Sequence, residues 1–253
     1  MENTDEFKLF ARRLSLVSGN IINKYFRTSI AVDSKTDSSP VTIADKKAEE
    51  LMREEIMKEF PDHGIIGEEF GRYNEEAEYQ WVLDPIDGTK SFISGALTFG
   101  TLIALTYKGN PILGVINQAV LKEFLIGDNV KSELNGNIVK VRETKNISDA
   151  VLLATDHFAI GEYFDQGKFD SLAKKVKLYR NWGDCYGYYL VATGFADIMI
   201  DPIMNIWDSM ALIPVIKGAG GTITDYKGND AVSGTSTIAS TPAIHNEIIK
   251  ALN

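Results

Sequence analysis

Residues 81–92 read Trp81-Val82-Leu83-Asp84-Pro85-Ile86-Asp87-Gly88-Thr89-Lys90-Ser91-Phe92. The apolar run from Tyr79 to Leu83 predicts a buried strand, and Asp84-Pro85 predicts its end, where the chain must turn. Gly88 can adopt backbone angles that other residues avoid, and Thr89 can start a helix. This strand and turn form the centre around which we interpret the rest of the chain.

The turn presents two acids, Asp84 and Asp87, at a strand end. Carboxylates at this spacing on a rigid turn can bind a hard divalent cation such as Mg²⁺ through oxygen, and the Ile86 carbonyl can point into the same site. A turn followed by a helix cap, with both acids in solvent, explains the same residues without a metal. The two interpretations remain open at this point.

The stretch from Pro85 to Thr89 nearly matches the D-x-D-G-T motif of aspartyl-phosphate phosphatases, in which the first Asp is a covalent nucleophile. Pro85 occupies that position in this chain, so the nucleophile is missing. Chemistry at this turn would therefore use water activated by a metal ion.

The composition is that of an ordinary globular protein, with 253 residues, 44% hydrophobic and 24% charged. The net charge of −9 disfavours nucleic acid and anionic membranes as partners, although a cation-loaded site can still bind phosphate. The single cysteine, Cys185, excludes an internal disulfide. We expect a cytoplasmic protein, because the first residues lack a signal-peptide pattern and no apolar run approaches membrane-spanning length.

The first half of the chain predicts two amphipathic helices followed by strands. Apolar residues at helical spacing predict a helix from Phe7 to Tyr25, and a second stripe predicts a helix from Thr42 to Phe60. Thr42 and Asp45 also fit a capping box at the start of that helix. Alternating apolar runs then predict antiparallel hairpins over 100–107, 111–120, 123–127 and 136–141.

The second half alternates strands with helices, which predicts an α/β arrangement over 151–154, 164–174, 176–179, 183–193, 196–200, 206–217 and 222–225. Pro214 lies within the last predicted helix and should kink it by leaving the Met210 carbonyl unpaired. Gly218-Ala219-Gly220-Gly221 predicts a helix end and not a phosphate loop. We expect a boundary near 140 between an N-terminal subdomain (1–140) with metal-binding motifs and a C-terminal subdomain (141–253) with substrate-binding residues.

Four motifs in this order resemble the inositol-monophosphatase family of Mg²⁺-dependent phosphatases: Val41-Thr42-x-x-Asp45, Ile66-Gly67-Glu68-Glu69, Asp84-Pro85-Ile86-Asp87-Gly88-Thr89, and Trp207-Asp208 before Gly218-Ala219-Gly220-Gly221. The resemblance covers residues 35 to 228. It implies an α+β fold, a layered αβαβα sandwich with two or three Mg²⁺ ions in a cleft between the subdomains.

The resemblance also implies the metal ligands. Asp84 would bridge two ions, and Glu68 with the Ile86 carbonyl would complete the first site. Asp87 and Asp208 would hold the second ion. Whether Lys35 and Asp37, on a predicted mobile loop, hold a third ion or only cover the site is left open.

Thr89, Asp45 and Glu68 form the implied catalytic set, in which Thr89 and Asp45 orient and deprotonate the attacking water. The Gly88 and Thr89 amides, at a helix start, would hold the phosphate of a small phosphorylated metabolite. Two neighbouring ions can stabilise both the attacking and the leaving oxygen of an in-line displacement. The family further implies a homodimer.

Within the family, the segments 91–95, 99–105 and 183–186 are more similar to the histidinol-phosphate phosphatases. Asp184, with Gly183 and Asp201, is the expected substrate contact, because a carboxylate in the cleft suits the ammonium group of histidinol phosphate. Alternatively, Asp184 caps a helix from Gly183 and Asp201 only ends a strand. The aromatic residues near them, Trp182, Tyr186, Tyr188 and Tyr189, fit either an imidazole or the core.

The predicted function is hydrolysis of L-histidinol phosphate in histidine biosynthesis. An inositol-1-monophosphatase or a related sugar-phosphate or nucleotide phosphatase is the alternative with the same chemistry. A regulatory binding protein on the same fold, such as a partner of the transcription machinery, is the third hypothesis. The intact Asp84, Asp87, Thr89, Glu68 and Asp208 argue against a loss of catalysis.

Overall fold

The computed structural model describes residues 4–29, 31–34 and 40–253, so Lys35 and Asp37 of the predicted mobile loop lie outside the described residues. The described helices are α1 (Thr4–Tyr25), α2 (Ile43–Glu59), α3 (Thr89–Ile93), α4 (Ile160–Tyr163), α5 (Gln166–Lys175), α6 (Asp184–Ala192), α7 (Ile206–Ser209), α8 (Leu212–Gly218) and α9 (Pro242–Leu252).

The described strands are β1 (Val32–Ser34), β2 (Pro40–Thr42), β3 (Gly64–Gly67), β4 (Gly71–Tyr73), β5 (Tyr79–Asp87), β6 (Gly100–Tyr107), β7 (Asn110–Gln118), β8 (Glu123–Gly127), β9 (Ser132–Leu134), β10 (Asn137–Val139), β11 (Val151–Ala154), β12 (Leu178–Arg180), β13 (Ile198–Asp201), β14 (Thr222–Thr224) and β15 (Thr237–Ser240). Two short 3₁₀ helices span Ile147–Asp149 and Ala231–Ser233.

These elements stack in five layers. Helices α1 and α2 cover one face of a sheet ordered β10-β9-β8-β7-β6-β5-β3-β4, and helices α6 and α8 pack between that sheet and a second sheet ordered β12-β11-β13-β15-β14. Helices α5 and α9 cover the outer face of the second sheet. Three apolar cores lie between the layers, and one of them covers both faces of the α6 and α8 layer. The predicted α+β fold, a layered αβαβα sandwich, is confirmed.

The first sheet carries the central stretch. The predicted hairpins are confirmed, because β6, β7 and β8 pair antiparallel in sequence order. Strand β3 pairs in parallel with β5, and this pairing brings the turn after Gly67 beside Leu83. The acids that follow these two strands are therefore neighbours at one edge of the cleft.

The prediction that Asp84-Pro85 ends the central strand is wrong. Strand β5 continues to Asp87 through a bulge, because Asp84 pairs with Leu102 and Asp87 pairs with Gly100, so two residues of β5 lie opposite one residue of β6. A bulge tolerates Pro85 because the position needs no ladder N–H. The bulge rotates the chain, and the two acids emerge on the cleft side of a strand and not from a loop.

The predicted helix over 206–217 is broken into α7 and α8 at Met210 and Ala211. Pro214 explains the position of the break, since a proline removes the hydrogen bond to the residue four positions earlier. Helix α8 ends at Gly218, as predicted. The sequence patterns did not predict α4, β2, β4, β9 or β15, all of which have only three or four residues, too few for a periodic pattern.

The second sheet is mixed and not wholly parallel. Strands β12, β11 and β13 run parallel, whereas β15 pairs antiparallel with both β13 and β14.

The link between the two sheets runs over 140–150, near the expected boundary, and the division into subdomains 1–140 and 141–253 stays a prediction. In the part of the chain described here, no helix combines the length and the apolar character needed to cross a membrane.

Candidate active site

Asp84, Asp87 and Asp208, from two parts of the chain, form an acid cluster at one edge of the first sheet, and Glu68 lies beside it. Carboxylate oxygens of Asp84, Asp87 and Asp208 all lie within 4.8 Å of one another. Asp84 is only 2% exposed. Glu68 follows strand β3, and its backbone N–H donates to the Leu83 carbonyl at 3.2 Å. The tertiary structure thus brings together acids that are 140 residues apart in sequence, from 68 to 208.

The electrostatics of this acid cluster favour a bound cation. Burial raises the pKa of Asp84 well above its ordinary value, and the negative charges of Glu68, Asp87 and Asp208 raise it further. Burial, and then the charges of Asp184 and Asp208, raise the pKa of Asp87 in the same way. Burial raises the pKa of Asp208 to about 7. A divalent cation offsets such repulsion, and an all-oxygen set of donors suits Mg²⁺, so these residues fit the metal.

Backbone groups fix the direction of each acid in the cluster. One N–H donates to each carboxylate: Ile86 to Asp84 at 3.0 Å, Asn205 to Asp208 at 2.7 Å, and Cys185 to Asp87. None of the ion pairs formed among the described residues involves these three acids. Backbone amides therefore orient Asp84, Asp87 and Asp208, and none of these three acids forms an ion pair with a described basic side chain.

Thr89 lies between the cluster and helix α2. Its hydroxyl oxygen lies 3.0 Å from the Ile86 carbonyl oxygen and 3.4 Å from Asp45 Oδ1, so its single proton can be donated to either acceptor. The other carboxylate oxygen of Asp45 accepts the N–H and the hydroxyl of Thr42, at 2.9 and 2.6 Å. The capping box is confirmed, and the same side chain also contacts Thr89, so the two interpretations of Asp45 are compatible. Burial raises the pKa of Asp45.

Gly88, the residue that caps the N-terminus of helix α3, adopts a conformation that requires glycine. Its φ and ψ are 87° and 41°, in the left-handed region. A Cβ atom there would lie 2.8 Å from Asp184 Oδ2 and 3.0 Å from the Thr98 carbonyl oxygen. The two halves of the chain therefore meet at this glycine. The role of the Gly88 and Thr89 amides in phosphate binding stays a prediction.

Asp184 occupies the first turn of α6 with a φ of 51°, which is uncommon for a residue other than glycine. Its N–H donates to Thr155 Oγ1 at 2.8 Å, and the Ser91 hydroxyl lies 3.4 Å from its carboxylate. The helix cap is Gly183, and no side chain caps this helix, so the alternative that Asp184 is a helix cap is wrong. Burial raises the pKa of Asp184 to about 7.

Gly183 and Asp201 are tied to the same threonine. A Cβ atom on Gly183 would lie 2.2 Å from Thr155 Cα, so no larger residue fits there. Asp201 ends strand β13 and is 4% exposed; its two oxygens accept the Thr155 N–H at 3.3 Å and the Tyr188 hydroxyl at 2.9 Å. Burial raises the pKa of Asp201 to about 6, against these hydrogen bonds. Both residues line the cleft, and their contact with substrate stays a prediction.

The cleft consists of two adjoining cavities next to the acid cluster. Both cavities are lined by Lys90, Thr155, Asp156 and Asp184. Among these four residues, only Asp184 was predicted from the sequence to be a site residue. Thr155 and Asp156 directly follow strand β11. Two polar residues at the end of a predicted strand were the signal in the sequence that could have identified them. Tyr188 and Tyr189 are buried in the core, as the alternative interpretation of the aromatic residues predicted.

Comparison with known proteins identifies the family. The Inositol monophosphatase family model matches residues 3–253. The bifunctional phosphatase IMPL2, chloroplastic, of Arabidopsis thaliana is 48% identical over 227 residues, which cover 88% of this chain and 65% of that protein. This chain thus spans slightly less than two thirds of that relative's length. A histidinol-phosphatase of Chlorobaculum parvum is 38% identical over 245 residues, covering 96% of this chain and 95% of that protein.

The fold leads to the same family. A solved inositol monophosphatase from Zymomonas mobilis superimposes with a TM-score of 0.87 at 34% identity, covering 100% of this chain and 99% of that chain. The order of the four motifs, the layered sandwich and the acid cluster agree with this match. The chain therefore belongs to the inositol monophosphatase family.

Proposed function

We propose that this phosphoric monoester hydrolase removes phosphate from L-histidinol phosphate and acts in histidine biosynthesis. The observation that carries the choice of substrate is the Asp184 carboxylate, which lines both cavities next to the acid cluster. A carboxylate at that place favours a phosphate ester that also bears an ammonium group. The similarity to a protein named histidinol-phosphatase supports the same substrate.

The family is metal-dependent, and the acid cluster fits a divalent cation. In this proposal Asp84, Glu68 and the Ile86 carbonyl would hold one Mg²⁺, and Asp84, Asp87 and Asp208 would hold a second. The total would be two or three ions. Bound there, the ions would neutralise the phosphate charge and lower the pKa of water. The protein supplies oriented oxygens, which is the main requirement of phosphoryl transfer.

Thr89 and Asp45 would move the proton of the attacking water. The Thr89 hydroxyl can accept that proton while its own proton passes to Asp45 Oδ1, 3.4 Å away. Burial raises the pKa of Asp45, which makes this carboxylate a better proton acceptor near neutral pH. The hydrogen bonds from Thr42 keep the carboxylate pointed at Thr89 throughout. Gly88 and Thr89 would hold the phosphate through their amides.

Asp184, Gly183 and Asp201 would form the other end of the substrate site. Asp184 would pair with the ammonium group. Binding of that cation would lower the raised pKa of Asp184, so that its carboxylate is ionised in the complex. Gly183 lets the start of α6 approach Thr155 closely. Asp201 would act on the substrate mainly by orienting Thr155 and Tyr188, which occupy its two oxygens.

Phosphate release from a small panel tests the proposal. The panel contains histidinol phosphate, inositol 1-phosphate, a nucleotide 3′,5′-bisphosphate and fructose 1,6-bisphosphate, each assayed with Mg²⁺ and ranked by kcat/KM. We expect histidinol phosphate to rank first. A higher rank for inositol 1-phosphate or a sugar phosphate would refute the substrate and keep the phosphatase chemistry.

The proposal places the enzyme in the cytoplasm as a homodimer that acts on a small metabolite without nucleic acid. Sedimentation equilibrium should then give about twice the chain mass of 28.0 kDa. A monomer mass over the working concentration range would refute the dimer.

A further inference from the structure

Glu49 is a buried carboxylate that the proposed chemistry does not use. It lies on helix α2 and is 0% exposed. Its neighbours on the same face are Asp45, Ala48 and Met52, which are also buried. An acid is seldom fully buried unless it has partners, so the contacts of Glu49 require an explanation.

Those contacts lie on the turn that carries Glu68. One oxygen of Glu49 accepts the N–H of Glu69 at 2.7 Å, and the other accepts the N–H of Phe70 at 3.1 Å. These are the two backbone amides that directly follow Glu68. Arg53, one helical turn after Glu49, donates to the same carboxylate at 3.2 Å and to the Gly71 carbonyl at 3.0 Å.

The residue before Glu68 is shaped around the same carboxylate. A Cβ atom on Gly67 would lie 1.9 Å from Glu49 Oε1, so only glycine allows this approach. The turn is therefore held on both sides of Glu68, by close packing at Gly67 and by hydrogen bonds at the next two residues. Glu68 itself lines one of the two cleft cavities next to the acid cluster, and its charge acts on Asp84 and Asp208.

We propose that Glu49 is a positioning residue, which holds the turn from Gly67 to Gly71 so that Glu68 faces the acid cluster and thereby sets its affinity for a divalent cation. Residues that orient metal ligands in this way typically change metal affinity by about 10–100-fold when they are replaced. The inference rests on the metal site of the proposed function and is independent of the substrate.

The test is the Mg²⁺ affinity of the full-length, metal-free chain, measured by calorimetry without substrate. Glu49→Gln keeps the size of the side chain but replaces one acceptor oxygen with an NH₂ group that faces a backbone N–H. We expect it to weaken Mg²⁺ binding by about 10–100-fold. The thermal midpoint of each variant is recorded alongside, so that loss of fold is recognised.

Asp197 provides the matched control, because it too is a fully buried acid that accepts a backbone N–H and pairs with an arginine, Arg142. It precedes strand β13, whereas the cleft residue Asp201 ends that strand. Asp197→Asn should destabilise the chain and leave Mg²⁺ affinity unchanged. An equal loss of affinity in both variants, or none in Glu49→Gln, would overturn the proposal.

Arg53→Lys covers the case in which Glu49→Gln does not fold. Lysine keeps the charge but cannot bridge both Glu49 and the Gly71 carbonyl as the guanidinium does. A smaller loss of Mg²⁺ affinity in the same direction supports the proposal, and an unchanged affinity overturns it. If the unmutated chain binds Mg²⁺ but does not hydrolyse histidinol phosphate, only the proposed substrate is refuted. If the unmutated chain does not bind Mg²⁺, the proposed role of Glu49 is refuted.

Discussion

The two ends of the cleft both contain buried acids, but their surroundings differ. At the proposed metal end, carboxylate oxygens of Asp84, Asp87 and Asp208 lie within 4.8 Å of one another, and each side chain accepts one backbone N–H. At the proposed substrate end, both oxygens of Asp201 accept hydrogen bonds from the protein, one from Thr155 and one from Tyr188.

The difference shows how the fold separates acids that repel one another from an acid whose two oxygens are hydrogen-bonded within the protein. At the metal end, the carboxylates raise one another's pKa, so an external cation is needed to keep them charged together. At the substrate end, the pKa of Asp201 is raised by burial and lowered by its hydrogen bonds. Asp184 is intermediate, because burial and the charge of Asp201 raise its pKa, whereas Ser91 and Lys90 lower it.

The largest expected effect follows from removing a charge at the metal end. Asp84→Asn should abolish phosphate release and weaken Mg²⁺ binding, because the cluster loses the acid that faces all the others. Metal-free protein should be equally inactive until Mg²⁺ is added. Asp201→Asn is the control, since it should keep Mg²⁺ affinity. Full activity after treatment with EDTA would refute the proposed chemistry.

Thr89 should show the next largest effect. Thr89→Ala should lower kcat by about 10²–10⁴-fold with little change in KM, because a proton acceptor acts chiefly in the transition state. Thr89→Ser keeps the hydroxyl and should retain most of the activity. A change in KM alone would make Thr89 a binding residue.

Asp45→Asn should lower kcat in the same way and also lower the melting temperature, because Asp45 belongs to the capping box of α2. Kinetics and thermal unfolding of the same preparation measure both effects. A lower melting temperature with unchanged turnover would limit Asp45 to the cap.

Asp184→Asn should act selectively on the charged substrate. Asparagine tolerates the left-handed backbone and keeps the size, so only the charge is lost. We expect a loss of about tenfold or more in kcat/KM with histidinol phosphate, near or below the lower end for a broken charge pair because Asp184 is only half-buried. With p-nitrophenyl phosphate, which is the control, the change should be much smaller. Equal losses with both esters would make Asp184 a structural residue.

The smallest expected effect is on pH-dependent stability. Burial raises the pKa of Asp201 from 3.8 to about 6 in the folded chain. At pH values between these two pKa values, the folded chain therefore binds more protons than the unfolded chain. The free energy of unfolding should therefore fall as pH rises through this window. Asp201→Asn should make that fall shallower in urea unfolding of metal-free protein from pH 4 to pH 6. An identical slope in both proteins would contradict the shifted pKa.

Local features were predictable because their causes lie within a few residues. The capping box joins Thr42 to Asp45 across three positions, and Pro214 breaks its helix four residues upstream, so both follow from the sequence. The bulge in β5 was not predictable, because it depends on the pairing of Asp84 and Asp87 with strand β6. Pairing with another strand is invisible in a local pattern.

Glu49 and Thr155 were missed for the same physical reason. The amide that Glu49 binds lies 20 residues away, and the amide that Thr155 binds lies 29 residues away. In the sequence, the clue to Glu49 was an acid within the apolar face of α2, at the helical spacing of Asp45, Ala48 and Met52. That clue shows that a buried partner is needed, but not which one.

By itself, the sequence determined the family and the order of most strands and helices. It also singled out the acids Glu68, Asp84, Asp87 and Asp208 as candidate metal ligands. Both were possible because motif spacing and apolar periodicity are properties of short segments. Only the tertiary structure decided that Asp87 accepts the Cys185 amide and that the start of α6 meets Gly88. These contacts arise where the layers pack against each other, and layer packing depends on the whole chain.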